Sequence, residues 1–158
     1  MKMAKIKEVI YYFLINYPYK DELSKTRLTK MIYLADWESA KRCGKQITKI
    51  NWYFDHYGPY VPDVYQVALK DKKINIKKGF SAFGSPKETI EFDKGYADYS
   101  VDNVRLNIEQ VEILDKVIED TKYLNWNDFI SYVYSTEPIE SQEKYKKLDL
   151  VKLAEEPM

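Results

Sequence analysis

A chain of 158 residues is long enough for one domain and short for two, and 45% apolar residues supply a hydrophobic core. The single cysteine, Cys43, excludes an intramolecular disulfide, and no run approaches the roughly 18 apolar residues of a membrane span. The basic N-terminus turns apolar but is interrupted by Glu8 and lacks a small-residue cleavage site, so we expect a cytoplasmic protein with no membrane association.

The formal net charge of zero conceals an uneven distribution of charge. Residues 1–87 contain 17 Lys and Arg against 8 Asp and Glu, whereas residues 88–158 contain 8 against 17. A basic half of this kind binds nucleic acid or an acidic partner, or it is neutralised by the acidic half folding against it. We expect neutralisation, because the two halves balance and no cluster holds more than a few basic residues.

Two amphipathic helices are predicted at the start of the chain. Apolar residues recur at helical spacing and predict a first helix over residues 2–16, which ends before Pro18. Ser24 is expected to cap a second helix, and Gly44 is expected to end it. Because the two helices are close in sequence, we expect them to pack as an antiparallel pair.

Three short strands are predicted in the middle of the chain. Apolar and polar residues alternate over Ile50–Phe54, Lys73–Lys78 and Glu88–Phe92. The tripeptide Tyr57-Gly58-Pro59 follows the first strand as a turn, and a loop rich in turn residues joins the second strand to the third. We expect the three strands to form one antiparallel sheet whose edge is protected by lysines.

The remainder of the chain is predicted to be mostly helical. Pro62 fits the first turn of a short helix, while Asn107 and Asn125 are expected to cap two later helices. Residues 93–106 show no clear period and are predicted to form a loop. The sequence therefore predicts an α+β fold, a predominantly helical single domain over residues 1–158 with a small antiparallel sheet of about three strands.

The chain offers little material for catalysis. His56 is the only histidine, and its neighbour Asp55 would point to the opposite face of a strand. The carboxylates are scattered, no glycine-rich phosphate-binding motif occurs, and one histidine and one distant cysteine do not make a zinc site. We therefore predict no catalytic residue, no metal site, no cofactor and a protein that is not an enzyme.

Aromatic residues are the unusual feature, since the chain contains 15 Tyr and 3 Trp. Tyr and Trp are enriched at protein interfaces, because they bury a large area and keep a polar tip. They also serve as half-buried packing residues, and aromatics among basic residues stack on single-stranded nucleic acid. The densest group lies near residues 52–60. The predicted partner-binding residues are Arg42, Trp52, Tyr53, His56, Tyr57 and Tyr60.

A specific combination of motifs lies in the same part of the chain. The run from Leu28 to Trp37 is followed by Gly44, Ile47-Thr48, Trp52 and Tyr57-Gly58-Pro59-Tyr60-Val61, with Thr136-Glu137-Pro138 much later. In this order and spacing, the motifs resemble the Panacea domain family, which includes SocA-like antitoxins and phage-associated GepA-like proteins. The resemblance is dense over residues 5–70.

The resemblance implies an antitoxin that binds and neutralises a cognate toxin encoded by an adjacent gene. One family member delivers its toxin to the ClpXP protease, so a protease adaptor is an alternative. A nucleic-acid-binding prophage regulator that uses the basic N-terminal half is another, but we expect no nucleic acid, because the chain lacks room for the helix-turn-helix that some relatives add. A rigid aromatic patch that occludes the toxin is the mechanism we expect.

Overall fold

The computed structural model describes residues 2–156, in which α-helices and short strands surround one hydrophobic core. The helices are α1 (Ile6–Asn16), α2 (Lys25–Cys43), α3 (Asp63–Lys70), α4 (Ile108–Thr121), α5 (Trp126–Tyr134), α6 (Glu137–Ser141) and α7 (Leu150–Glu155). The strands are β1 (Trp52–Asp55), β2 (Gly58–Pro59), β3 (Ile74–Phe80), β4 (Pro86–Phe92) and β5 (Lys147–Leu148). The predicted α+β fold, mostly helical with a small antiparallel sheet component, is confirmed.

Helix α2 begins and ends where the sequence predicts, and it lies at the centre of the fold. The Ser24 hydroxyl accepts a hydrogen bond from the Arg27 backbone N–H (3.1 Å), and Gly44 closes the helix with a φ of +70°. Most α2 side chains are buried, because α1, α3, α4 and α7 all pack against this helix.

Helix α1 begins at Ile6, four residues later than predicted. The Ala4 backbone N–H donates to the Ile47 carbonyl instead (2.7 Å), so residues 2–5 run outside the helix and along the segment that follows α2. This contact is made between residues far apart in sequence, which is why helical periodicity alone did not reveal it.

The strands form two sheets instead of the one sheet predicted. Strands β3 and β4 pair antiparallel as expected, with Ile74 opposite Phe92. The predicted addition of the first strand to this hairpin is wrong, because β1 pairs with β2 on one side and with β5 on the other, where Trp52 lies opposite Leu148. Strand β5 has two residues, too few for an alternating pattern in the sequence.

Polar caps set the ends of the later helices as predicted. The Asn107 side chain accepts from the Gln110 N–H (2.8 Å), and the Gln110 side chain accepts from the Asn107 N–H (3.0 Å), a complete capping box for α4. Asn125 accepts from the Asp128 N–H (2.9 Å) at the start of α5. Across residues 2–156, none of the helices combines the length and apolar character that crossing a bilayer requires.

Candidate partner-binding site

Two of the predicted site residues project from the tight turn between β1 and β2, here called the β1–β2 turn (residues 55–59). Asp55 pairs with Gly58 across the turn, and the Asp55 carboxylate accepts a hydrogen bond from the His56 N–H (2.9 Å). The Tyr57 side chain is 74% exposed, and its ring meets the His56 ring edge-on with 4.5 Å between centroids. The turn thus presents an imidazole and a phenol to solvent.

Tyr145 joins these two side chains from the other end of the chain. Its hydroxyl and His56 Nδ1 share a hydrogen bond of 2.9 Å, and its backbone N–H donates to the Phe54 carbonyl (2.6 Å). Tyr145 has a φ of +66°, a left-handed conformation that costs a non-glycine residue about 1 kcal/mol. His56, Tyr57 and Tyr145 together form the His56 cluster.

Sequence analysis missed Tyr145 as a member of this surface. Its contact with His56 depends on the pairing of β1 with β5, and that pairing joins residues from distant parts of the chain. A tyrosine gives no local sign of a left-handed backbone, because glycine and asparagine are the residues that usually adopt it.

A buried lysine fixes the backbone of the β1–β2 turn. Lys30, on α2, is 1% exposed, and its ammonium donates to the carbonyls of Tyr57 (2.8 Å) and Pro59 (3.1 Å). Burial lowers the pKa of Lys30 to about 8, and the Asp55 carboxylate partly opposes that change. The turn is therefore held from below by charge-assisted hydrogen bonds.

Gly58 allows the same turn to pack against α5. Its φ of +99° favours glycine, and a Cβ at this position would lie 3.0 Å from Tyr134 Cε1. The turn is consequently enclosed between α2 and α5, with Lys30 on one side and Tyr134 on the other. Its outward side chains stand on a backbone that has little room to move.

The other predicted site residues lie elsewhere. Trp52 is 1% exposed and donates from Nε1 to Asp36 (2.9 Å), so its side chain offers no surface to a partner of the folded domain. Tyr53 and Tyr60 are half-buried beside the turn, with the Lys30 ammonium 6.0 Å from the Tyr60 ring centroid.

Arg42 is exposed near the end of α2. It forms an ion pair with Glu38 one turn earlier on the same helix (3.3 Å). This pair is local to the helix, and it involves no residue of the β1–β2 turn.

Asp36 explains why several motif residues occur together. Its buried carboxylate accepts from the Ile47 N–H (2.8 Å), the Thr48 N–H (2.9 Å), the Thr48 hydroxyl (2.6 Å) and Trp52 Nε1. Burial raises the pKa of Asp36 to about 6, although the four hydrogen bonds favour the charged form. This side chain fastens the segment after α2 to the helix and orients the tryptophan at the start of β1.

Two further groups of exposed aromatic residues escaped sequence analysis. Phe80 and Phe83, 75% and 90% exposed, stand at the end of the β3–β4 hairpin, here called the hairpin tip (residues 80–86). Tyr19, Tyr123 and Trp126 form the second group, at the corner between α4 and α5. Exposure is decided by what packs above a side chain, so neither group could be separated from core aromatics by sequence pattern.

Two features describe the titratable residues of the described chain. Among residues 2–156, no three His, Cys, Asp or Glu side chains gather in a way that could hold a metal ion. Burial and the neighbouring Glu109 raise the pKa of the Cys43 thiol, which disfavours the reactive thiolate. The exposed groups of the His56 cluster are aromatic rings, two phenol hydroxyls and one imidazole.

Comparison with known protein families places the described geometry in context. The family model described as antitoxin SocA-like, Panacea domain, matches residues 28–138, from α2 to α6. This span includes Lys30, Asp36 and the β1–β2 turn. No curated protein and no solved structure matches the chain.

Proposed function

Since this chain belongs to the SocA-like antitoxin, Panacea domain family, we propose that it is the antitoxin of a bacterial or prophage toxin–antitoxin pair. It neutralises a toxin encoded by an adjacent gene by binding that toxin directly in the cytoplasm, without catalysing a reaction. The observation that carries the proposal is the family match over residues 28–138, which extends well beyond the motif around α2.

The His56 cluster supports direct binding as the mode of neutralisation. Tyrosine buries a large area with few rotatable bonds, and an exposed imidazole and two phenols supply hydrogen-bonding groups at the same place. The Lys30 hydrogen bonds and the Gly58 contact hold the turn before any partner arrives. A partner that docks here therefore orders little additional backbone, which lowers the entropic cost of binding.

The test is co-expression with the product of the adjacent gene, scored by growth and by co-purification. We expect the neighbour alone to arrest growth, and we expect the wild-type chain to restore growth and to elute with it as a stable complex. A harmless neighbour that does not co-elute would contradict the proposal.

A matched pair of variants tests the place of binding. Tyr57 and Tyr123 have side chains of the same type and nearly equal exposure, 74% and 77%, but lie on different surfaces. We expect Tyr57→Ala to weaken the complex about 30-fold, the effect of losing an interface hot spot of about 2 kcal/mol, and Tyr123→Ala to change it less than about 3-fold. The reverse result would move the interface to the corner between α4 and α5.

Toxin half-life, measured in co-expressing cells with and without ClpX, distinguishes occlusion from delivery to a protease. Under occlusion, the toxin persists in the complex, and its half-life is unchanged in cells that lack ClpX. Under the adaptor alternative, the toxin disappears when the antitoxin is present, and its level recovers when ClpX is removed. We expect persistence, because a rigid turn that covers a toxin surface needs no further partner.

A further inference from the structure

A basic cleft lies on a different part of the surface from the His56 cluster. It has a volume of about 720 Å³ and is bounded by the N-terminal segment, the start of β3 and the stretch that leads into α4. One carboxylate, Glu8, lines it. The cations that line it are Lys2, Lys5, Lys7, Lys73 and Arg105.

The five cations of the cleft outnumber the carboxylates beside it, which are Glu8 in the lining and Asp71, bonded to the Tyr11 hydroxyl and the Lys73 backbone N–H. The Glu8 carboxylate is 6% exposed and accepts a hydrogen bond from the Arg105 backbone N–H (2.9 Å). None of the six ion pairs within residues 2–156 includes any of the five cations. Among these pairs, Lys25 with Glu88 alone joins a base of residues 1–87 to an acid of residues 88–158, so ion pairing does little of the expected neutralisation.

The walls of the cleft are fixed by contacts from other elements. The Gln110 side chain donates to the Lys2 carbonyl (2.9 Å), and the Ala4 N–H donates to Ile47, so the N-terminal wall is tied at two points. On another wall, the Tyr99 ring lies 5.2 Å from the Tyr11 ring, measured between centroids. The cleft is therefore formed before a ligand enters it.

We propose that this cleft binds an acidic peptide segment of a protein partner. The inference rests on the proposed function for the partner being a protein, and it extends that function by naming the chemistry of one contact. The volume lies within the range of ligand sites and admits a short extended segment. Four of the five cations are lysines, flexible point charges that can follow carboxylates at variable positions along a peptide.

The lining argues against nucleic acid as the ligand. Single strands bind by stacking bases on exposed rings, but Tyr11 is 2% exposed, and the Tyr99 ring already contacts Tyr11 and Phe92. Helix α4 leads away from the cleft with exposed Glu109 and Glu112, which repel an extended phosphate backbone. A short acidic segment carries fewer charges than an extended phosphate backbone, so it meets less of that repulsion.

The experiment uses the purified full chain and a fluorescein-labelled octaglutamate peptide, followed by fluorescence anisotropy. Octaglutamine of the same length and a single-stranded oligothymidylate of about twenty nucleotides are the comparison probes. The variant Lys5→Glu/Arg105→Glu reverses two charges of the cleft, and Lys77→Glu/Lys152→Glu reverses two exposed lysines that do not line it. Both double variants change the net charge equally.

We expect octaglutamate to bind at least about 10-fold more tightly than octaglutamine, with affinity falling about 10-fold between about 50 mM and about 300 mM NaCl. The cleft variant should lose about 10-fold in affinity, and the control less than about 2-fold. Thermal unfolding of each variant identifies any loss of fold. If the cleft variant is unstable, the neutral variant Lys2→Gln/Lys5→Gln and the salt dependence of the wild type decide the question.

Several outcomes would overturn the inference. These are equal losses in both double variants, no preference for glutamate over glutamine, or tighter binding of the oligothymidylate. Co-purification with the adjacent gene product separates this result from the proposed function. If the cleft variant forms the complex as well as the wild type and octaglutamate does not bind, the cleft proposal is wrong and the antitoxin proposal stands. If octaglutamate binds but the neighbouring gene product is harmless, the cleft binds acidic peptide and the antitoxin proposal is wrong.

Discussion

Helix α2 buries charged side chains, whereas the hairpin tip exposes apolar ones, and both arrangements are uncommon in folded proteins. Lys30 and Asp36 are charged side chains buried in the interior, whereas Phe80 and Phe83 are apolar rings that project into solvent. Lys30 donates hydrogen bonds to a connecting segment and Asp36 accepts them from one, because an unpaired charge in the interior would be strongly destabilising.

The difference shows what the family motif encodes. The motif side chains Lys30, Asp36 and Trp52 are buried and bonded to one another or to nearby backbone, so they build the scaffold. Phe80, Phe83 and Tyr123 lie outside the dense part of the motif, whereas Tyr57, which is 74% exposed, is a motif residue that projects into solvent. Most of the motif therefore encodes the scaffold, and Tyr57 is a motif side chain that this scaffold presents to solvent.

Among the motif residues, the largest expected effect is that of Asp36→Ala. The substitution leaves the N–H groups of Ile47 and Thr48 and the Trp52 indole N–H buried without an acceptor, each at about 1–3 kcal/mol. We expect the free energy of unfolding to fall by about 4 kcal/mol, a large share of the total stability of a domain. Urea unfolding followed by circular dichroism measures this free energy. The control is Glu112→Ala at an exposed position, which is expected to stay within about 0.5 kcal/mol of the wild type.

The next largest effect is expected for Gly58→Ala, which should lower the free energy of unfolding by about 2 kcal/mol. A Cβ at this position meets Tyr134 at 3.0 Å and forces a side chain into a φ of +99°. Gly79→Ala is the matched control, since its Cβ would meet no atom within 4 Å and its backbone is not left-handed. Equal melting temperatures for the two variants would show that the turn can shift freely, and the rigid site proposed above would then fail.

Lys30 should make stability depend on pH above neutrality. Its folded pKa of about 8 lies below the value of 10.5 for an unperturbed lysine, so between these pH values the unfolded chain binds more protons. The contribution of Lys30 to the free energy of unfolding therefore rises as the pH increases from about 8 to 10.5. Relative to Lys30→Met, the wild type should gain about 2 kcal/mol between about pH 7 and about pH 9.5. If the difference in the free energy of unfolding between the two proteins does not change with pH, burial does not lower the pKa of Lys30.

The smallest expected effect on stability comes from the hairpin tip. Phe83 is 90% exposed, so Phe83→Ala should change the free energy of unfolding by less than about 0.5 kcal/mol. The same substitution at Phe13, which is fully buried in α1, should cost about 3–5 kcal/mol. Thermal unfolding of both variants checks the contrast, and a large loss at Phe83 would place a packing contact where the structure has none.

Much of the secondary structure could be predicted, because the signals for it are local. Ser24, Gly44, Asn107 and Asn125 act within a few residues of themselves, and each cap or stop is found where expected. The hairpin of β3 and β4 was likewise visible, since its strands are joined by a single loop.

The candidate site was only partly predictable. His56 and Tyr57 are exposed on the β1–β2 turn, as a turn that follows a strand suggests, but Trp52 is interior and Tyr145 was missed. A tryptophan at an alternating strand position has the same pattern whether it faces the core or solvent. The outcome depended on Asp36, whose carboxylate is brought to the indole by the fold of the intervening segment.

The sequence by itself determined the helices, their caps, the mostly helical α+β class and the family, because periodicity, capping and motif spacing act over short stretches of chain. Tertiary structure decided the partner of β1, the burial of Lys30 and Trp52, and the gathering around one cleft of five cations that form no ion pair within residues 2–156. These features depend on contacts between residues far apart in the chain. Such contacts are selected by how the whole core closes, and no local pattern records them.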